Sequence, residues 1–470
     1  MSMEDESTHT SRAKERDEHK YMSGFGNEFA TEALKGALPH GQNTPQVCPY
    51  KLYAEQLSGT AFTMPRSTNL RTWLYRIRPG VCHTPFTPLG AVPCCLSNFS
   101  EVDPDPNQMR WKAMPPPSTG KADVSFVEGL FTVAGSGDAS AKRGVAAHLY
   151  WCNCAMSGRK EAFVSSDGDM LIVPQMGVLE LRTEMGRLTL SPMEICVIPC
   201  GIRFSVDASE SSRGYVFELF KGHFTLPSLG PIGANGLANP RDFLYPTACY
   251  DTGDESLGQW TLITKFCGSF FTAHTPASPF DVVAWHGNYA PYKYDLERFC
   301  AVGSVSYDHL DPSIYTVLTC PSEIPGEAIA DFVIFPPRWM CMEHSFRPPY
   351  FHRNVMSELM GMIHGSYDAK TGFEPGGVSL HPCMIAHGPD AETFEKASKA
   401  DTSKPEKFEG GLAFMFETSA VLKVPEAARE AAWRDREYQK CWEGLPRLFD
   451  PTTPGDLVAA AALPFAVSQS

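Results

Sequence analysis

Short apolar stretches, broken every few residues by glycine or proline, leave this chain little room for long helices. Its 38 Gly and 39 Pro are spread through all 470 residues, and helical periodicity is scarce. A long chain of this kind folds as β-sandwiches or barrels. The clearest case runs from Asp169 to Val206. Met170 to Pro174 is a short apolar strand, and Leu179 to Thr183 alternates apolar and polar side chains as a half-buried strand does. Glu184 to Arg187 supplies a hairpin turn, in which Gly186 can take a positive φ. Leu188 to Leu190 returns, Ser191 to Glu194 turns again, and Ile195 to Pro199 and Ile202 to Val206 continue the meander.

This rhythm resembles a cupin-type jelly roll. No histidine cluster occurs in it, so a barrel here is expected to be a scaffold without metal. Histidines gather later. Six of the 14 fall at His309, His344, His352, His364, His381 and His387. Val333 to Phe335 reads as a buried strand ended by Pro336-Pro337, and Pro375-Gly376-Gly377 marks a turn before His381. A second barrel is expected over about residues 305–422. The run Phe346 to Phe351 contains Pro348-Pro349, which resists helix and favours an extended approach. His352 is therefore expected on a strand or strand end, unlike the helical His-Glu-x-x-His of zinc proteases. Two imidazoles and one carboxylate, from His352, Glu358 and His387, can cap one face of a ferrous ion. The opposite face then stays open to a substrate and O2. On the residues alone, His381 is a rival third ligand, because it follows the Pro-Gly-Gly turn.

Two helices are expected. Asp390 can cap one over Ala391 to Lys396. A longer one begins at Pro425, with Ala428, Ala431, Ala432, Tyr438, Cys441 and Trp442 near one face for packing. Residues 102–108 and 229–240 read as irregular loops. The net charge of −14, from 54 acids against 40 bases, excludes nonspecific binding to nucleic acid or acidic membrane. Fifteen scattered cysteines without a C-x-x-C pair suit reduced thiols in a cytosolic enzyme. Met1 to Lys20 is polar and mixed in charge, reading as a disordered tail without the apolar core of a signal peptide. Leu457 to Val467 is apolar, but it is too short for a bilayer span and is interrupted by Pro464.

Several long runs of unusual composition carry a resemblance. They are Tyr21 to Glu28, Pro45 to Tyr50, Leu52 to Gly59, the Asp-Pro loop at 102–108, the loop from Gly230 to Phe243, and Val283 to Tyr289. In these, and from Tyr21 to about Trp442, the chain resembles the homogentisate 1,2-dioxygenases. The expected fold is mainly β, with cupin-like jelly-roll or β-sandwich architecture. The expected divisions are a tail at 1–20, an N-terminal domain with a metal-free barrel at 21–304, an iron-bearing domain at 305–449 and a tail at 450–470. The resemblance implies Fe(II) held by His352, Glu358 and His387, with His387 also bordering substrate. It leaves His381 in the pocket beside substrate or oxygen. It implies His309 as general base and Tyr367 as a substrate contact. The implied reaction opens the ring of homogentisate with O2 to give 4-maleylacetoacetate, in tyrosine and phenylalanine catabolism. The implied state is a cytoplasmic hexamer of two trimers, with no nucleic-acid or membrane partner. His364 departs from the pattern, standing where arginine is expected. Competing readings are a dioxygenase for gentisate or a similar acid, a non-catalytic bicupin, and a zinc or manganese cupin isomerase.

Overall fold

The computed structural model describes residues 17–90, 94–116, 123–228, 237–301, 315–341 and 350–452. The expectations for His309 and His344, for most of the 229–240 loop and for most of both tails lie outside these residues.

The expected meander is present as strands Asp169–Met176, Leu179–Thr183, Gly186–Leu190, Glu194–Ile198 and Phe204–Asp207. These strands divide between two sheets. An eight-stranded sheet holds Asp169–Met176 between Glu194–Ile198 and Ser212–Leu219, with Arg143–Cys152 and Leu130–Asp138 beyond. A seven-stranded sheet carries the hairpin Leu179–Thr183 with Gly186–Leu190, then Phe204–Asp207, Glu161–Ser165 and Trp260–Phe266. Gly186 has φ +138°, and a Cβ there would meet the Thr247 carbonyl oxygen at 2.2 Å. Conformation and space both require glycine at that turn. Ile172 and Val197 from one sheet and Leu181 and Phe204 from the other are buried in one continuous core. Burying each such side chain stabilises the fold by roughly 2 kcal/mol.

The candidate site lies on a separate seven-stranded sheet. Its strands are β1 (Met109–Trp111), β2 (Thr316–Pro321), β3 (Ala328–Phe335), β4 (Ser357–Gly365), β5 (Val378–His381), β6 (Gly411–Thr418) and β7 (Arg434–Asp435). The order across the sheet is β2-β3-β6-β4-β5-β1-β7, with every pair antiparallel. The mainly-β, cupin-like class is thus as expected. One strand of the later sheet, β1, comes from before the first barrel in sequence.

The earlier strands brace this sheet. Tyr215 is 1% exposed, and its hydroxyl accepts from Met362 N at 3.2 Å while facing the carbonyls of Met362 and Gly377, each at 3.0 Å. Phe217 stacks on Phe416 with centroids 4.5 Å apart, and Gln175 Nε2 donates to Ile363 O at 3.2 Å. Strand β4 is therefore fixed from the side of the earlier strands by buried polar and aromatic contacts.

The helices differ from expectation in one respect. The helix α1 (Ala391–Ser398) starts where expected, with the Asp390 carboxylate accepting from Thr393 N at 2.7 Å. The long helix after Pro425 does not form. Only α2 (Glu426–Arg429) is helical, after which the chain pairs with β1 as β7 and ends in a 3-10 turn at Tyr438–Trp442. Lys112 N donates to Trp433 O at 2.9 Å, and Arg110 holds Asp435 through Nε at 2.9 Å and Nη2 at 2.6 Å. Ladder pairing and a forked charged contact thereby replace helical hydrogen bonds. Among the described residues the cysteines whose side chains are placed are free, and no helix is long and apolar enough to cross a membrane.

Candidate metal centre

Strand pairing places one row of polar side chains across the sheet. Glu358, near the start of β4, lies opposite His381 of β5 and Glu417 of β6, and Glu417 lies opposite Asp331 of β3. Residues directly opposite in adjacent strands present their side chains to the same face. The two remaining candidates arrive on extended segments outside the main strands. His352 and His387 form an isolated antiparallel bridge, with His352 N donating to His387 O at 2.9 Å and His387 N to His352 O at 3.0 Å. His352 is thus on extended backbone, as expected. Gly388 permits this close pairing, because a Cβ there would sit 2.6 Å from Phe351 Cδ1 and 2.9 Å from its Cα.

His352, Glu358 and His387 each offer a ligand atom within 4.8 Å of the others. His387 Nε2 is 2.9 Å from Glu358 Oε2, and His352 Nε2 is 3.5 Å from Oε1. Both imidazoles have their Nδ1 against a backbone carbonyl, Ile385 O for His387 and Tyr350 O for His352, each at 2.9 Å. A carbonyl only accepts, so each Nδ1 carries a proton and each ring turns its Nε2 inward. Two ring nitrogens and a carboxylate then face one another in a largely buried place. Such a set suits a cation, and two imidazoles with one carboxylate fit a divalent transition metal with open coordination positions. The carboxyl of Glu358 is held well below the usual carboxylate range. Burial would raise it, but the imidazoles of His352, His381 and His387 facing it outweigh burial.

Asn354 supports the carboxylate. Its Nδ2 donates to Glu358 Oε1 at 3.0 Å and to Glu417 Oε1 at 2.6 Å, and its Oδ1 accepts from Met356 N at 3.0 Å. His381 stacks on His387 with centroids 4.3 Å apart and planes at 10°. Its Nδ1 is 3.6 Å from Glu358 Oε2, while its Nε2 is turned away to Lys370 Nζ at 2.7 Å and Tyr438 OH at 2.9 Å. Burial, then the Lys370 charge, holds His381 well below the ordinary imidazole range. Lys370 is itself buried and pushed down to about 8 by that burial.

These groups border a cavity of about 430 Å³, a size suited to a small molecule. Tyr367 lines it, packed between Phe335 and Phe373 at 5.8 and 6.0 Å between centroids. Of the residues singled out in the sequence, His352, Glu358, His387, His381 and Tyr367 come together here, whereas His309 lies outside the described residues. Asn354, Lys370, Glu417 and Asp331 were missed. Asn354 had a signal, since it stands between two candidate ligands. Lys370 and Tyr438 had none, and Tyr438 had been assigned to helix packing.

Comparison with known proteins gives the same answer over both parts of the chain. Residues 20–296 match the family model described as homogentisate 1,2-dioxygenase N-terminal, and residues 297–449 match its C-terminal counterpart. The homogentisate 1,2-dioxygenase of Drosophila melanogaster is 54% identical over 93% of this chain and 99% of its own length. Those of Mus musculus and Homo sapiens are each 55% identical over 93% of this chain and 98% of their own.

Proposed function

Since the chain belongs to the homogentisate 1,2-dioxygenase family, we propose that its cavity is the place where homogentisate meets O2, on Fe(II) held by His352, Glu358 and His387. The enzyme opens the ring of homogentisate with O2 to give 4-maleylacetoacetate. The observation that carries the iron assignment is the convergence of two imidazole nitrogens and a carboxylate oxygen within 4.8 Å of one another. When bound, the iron supplies a centre on which a phenolic substrate and O2 react together.

The protein's own part is positioning and proton handling. The bridge between His352 and His387 fixes two ligands on one rigid pair of extended segments. Asn354 keeps the Glu358 carboxylate from turning away. His309 is assigned as the base that takes a phenolic proton, because an imidazole titrates near neutrality. Tyr367 is assigned to donate its hydroxyl proton to a substrate oxygen. Burial raises its own pKa and keeps that proton in place. His381 is assigned to border the substrate or O2, supported by its stacking on His387 at the cavity wall. We also assign the enzyme to a cytoplasmic hexamer of two trimers, on the family resemblance.

Oxygen uptake after anaerobic loading with Fe(II) tests this reading. One O2 is expected per homogentisate, with gentisate consumed far more slowly. Equal or faster consumption of gentisate would overturn the substrate assignment, and no uptake with either acid would overturn the reading itself.

A further inference from the structure

The most distinctive group outside the three candidate ligands is Lys370. It is 7% exposed, with its ammonium 2.7 Å from His381 Nε2 and 2.9 Å from the Tyr438 hydroxyl oxygen. Its Nζ also lies 5.5 Å from the centroid of the Trp442 ring, where a cation is attracted by the aromatic face. An ammonium has three donors and no acceptor. The contact with Nε2 therefore requires a lone pair on that nitrogen. Tyr438 OH, 2.9 Å from the same Nε2, makes the same demand, because its oxygen already accepts from Lys370 and its proton is left to donate. A neutral imidazole with its lone pair on Nε2 carries its proton on Nδ1. His381 Nδ1 is buried and has no hydrogen-bond partner, and it faces the space beside Glu358 Oε2 at 3.6 Å. In the other tautomer, a lone pair would face the carboxylate. A buried donor without a partner is costly unless something fills the place it faces.

We propose that Lys370 and Tyr438 are positioning residues that hold His381 as its Nδ1–H tautomer, keeping one donor aimed at an oxygen atom of substrate or O2 in the cavity. The inference rests on the dioxygenase reading of that cavity and adds to it the group that sets the direction of the hydrogen bond. The donor is fixed before the reaction begins, so negative charge developing on that oxygen meets a hydrogen bond without reorganisation. The device joins three separated parts of the chain: β5, the loop after β4, and the 3-10 turn at Tyr438–Trp442. It also gives that terminal turn a part in catalysis.

The charge on Lys370 is held in balance by its surroundings. Burial lowers its pKa to about 8, against the opposing influence of Cys441, Glu358 and Asp390, and Arg110 lowers it further. His381 and Tyr438 are its hydrogen-bond partners. Above that pH the neutral amine can accept a proton from Nε2–H, and the tautomers become interchangeable.

The test uses the full-length protein labelled with 15N-histidine, with the His381 signal assigned by its loss in His381→Gln. Solid-state 15N NMR at neutral pH is expected to show His381 protonated on Nδ1 alone. In the double variant Lys370→Met/Tyr438→Phe, a mixture or the Nε2–H form is expected. Iron content and KM for homogentisate are expected within about twofold of wild type, and kcat about 10-fold lower or more, the scale of lost positioning partners. A fall in wild-type kcat above about pH 8 is expected, and its absence in Lys370→Met. An Nδ1–H signal unchanged in the double variant, or a wild-type signal from Nε2–H, would overturn the proposal even if the enzyme consumes homogentisate. Loss of iron and fold together in the double variant sends the test to Tyr438→Phe, which keeps the ammonium. An unchanged kcat there, with the tautomer shifted, would likewise overturn it. Failure of wild type to take iron or O2 sinks the underlying reading instead.

Discussion

Asn354 is a small side chain whose amide faces two carboxylates, Glu358 and Glu417. Removing it leaves both acids without their shared donor and frees Glu358 to rotate. Asn354→Ala is expected to weaken iron affinity or turnover by about 10–100-fold, as loss of a ligand-orienting partner does. Anaerobic iron titration beside oxygen uptake measures it. Lys370 makes a second prediction, in which stability and activity move in opposite senses. Its pKa is about 8 in the folded protein against an ordinary value of 10.5, so the unfolded chain binds more protons between these values. Burying the charge costs stability below pH 8, and that cost is relieved as pH rises from 8 toward 10.5. Wild type is expected to gain up to roughly 3 kcal/mol relative to Lys370→Met across that interval. Urea unfolding at pH 7.5, 9 and 10 reads the change, and a wild type that loses stability relative to Lys370→Met with rising pH would contradict the buried-charge account. At this scale the sequence revealed what chemistry alone can mark. His352, Glu358 and His387 are ligand types, so their grouping was visible. Lys370 and Tyr438 acquire meaning only from what they touch, and their separation along the chain hid it.

Among the elements, strands were easier to read than helices, and the reason is local. Leu179–Thr183 and Gly186–Leu190 carry an alternating pattern and a glycine that only a turn explains. The segment after Pro425 has real helical periodicity, yet it becomes β7 because β1 offers it a partner from residues 109–111. Pairing across more than 300 residues leaves no mark in a local window. The two earlier sheets are joined by buried charge. Lys265 Nζ donates to Glu218 Oε2 at 2.7 Å, Asp167 Oδ2 at 2.8 Å and Ser97 Oγ at 2.5 Å, all of them buried. It ties the strand Trp260–Phe266 to Ser212–Leu219 of the other sheet. Lys265→Met leaves two buried carboxylates without their shared ammonium and is expected to destabilise the fold by about 3–5 kcal/mol. Burial would raise the pKa of Glu218, but Lys265 and His148 outweigh it and lower it to about 2. Its contribution is therefore full above pH 4.5 and is lost as pH falls toward 2. Acid titration of unfolding free energy is expected to show this slope in wild type and not in Glu218→Gln.

For the whole molecule, the earlier and later sheets divide the work. The earlier pair is joined by a lysine and two acids and braces its neighbour through Tyr215, while the later sheet gathers candidate ligand atoms around a place for a cation. Tyr215→Phe removes the hydroxyl between them, leaves Met362 and Gly377 backbone groups short of a partner, and is expected to cost about 1–3 kcal/mol. The measurement that bears most directly on the account is the number of Fe(II) ions bound per chain, by anaerobic titration followed by removal of loose metal. One ion per chain in wild type, and none in a folded Glu358→Ala, is the predicted result. Two ions per chain, or one that survives Glu358→Ala, would contradict the assignment of the metal to His352, Glu358 and His387.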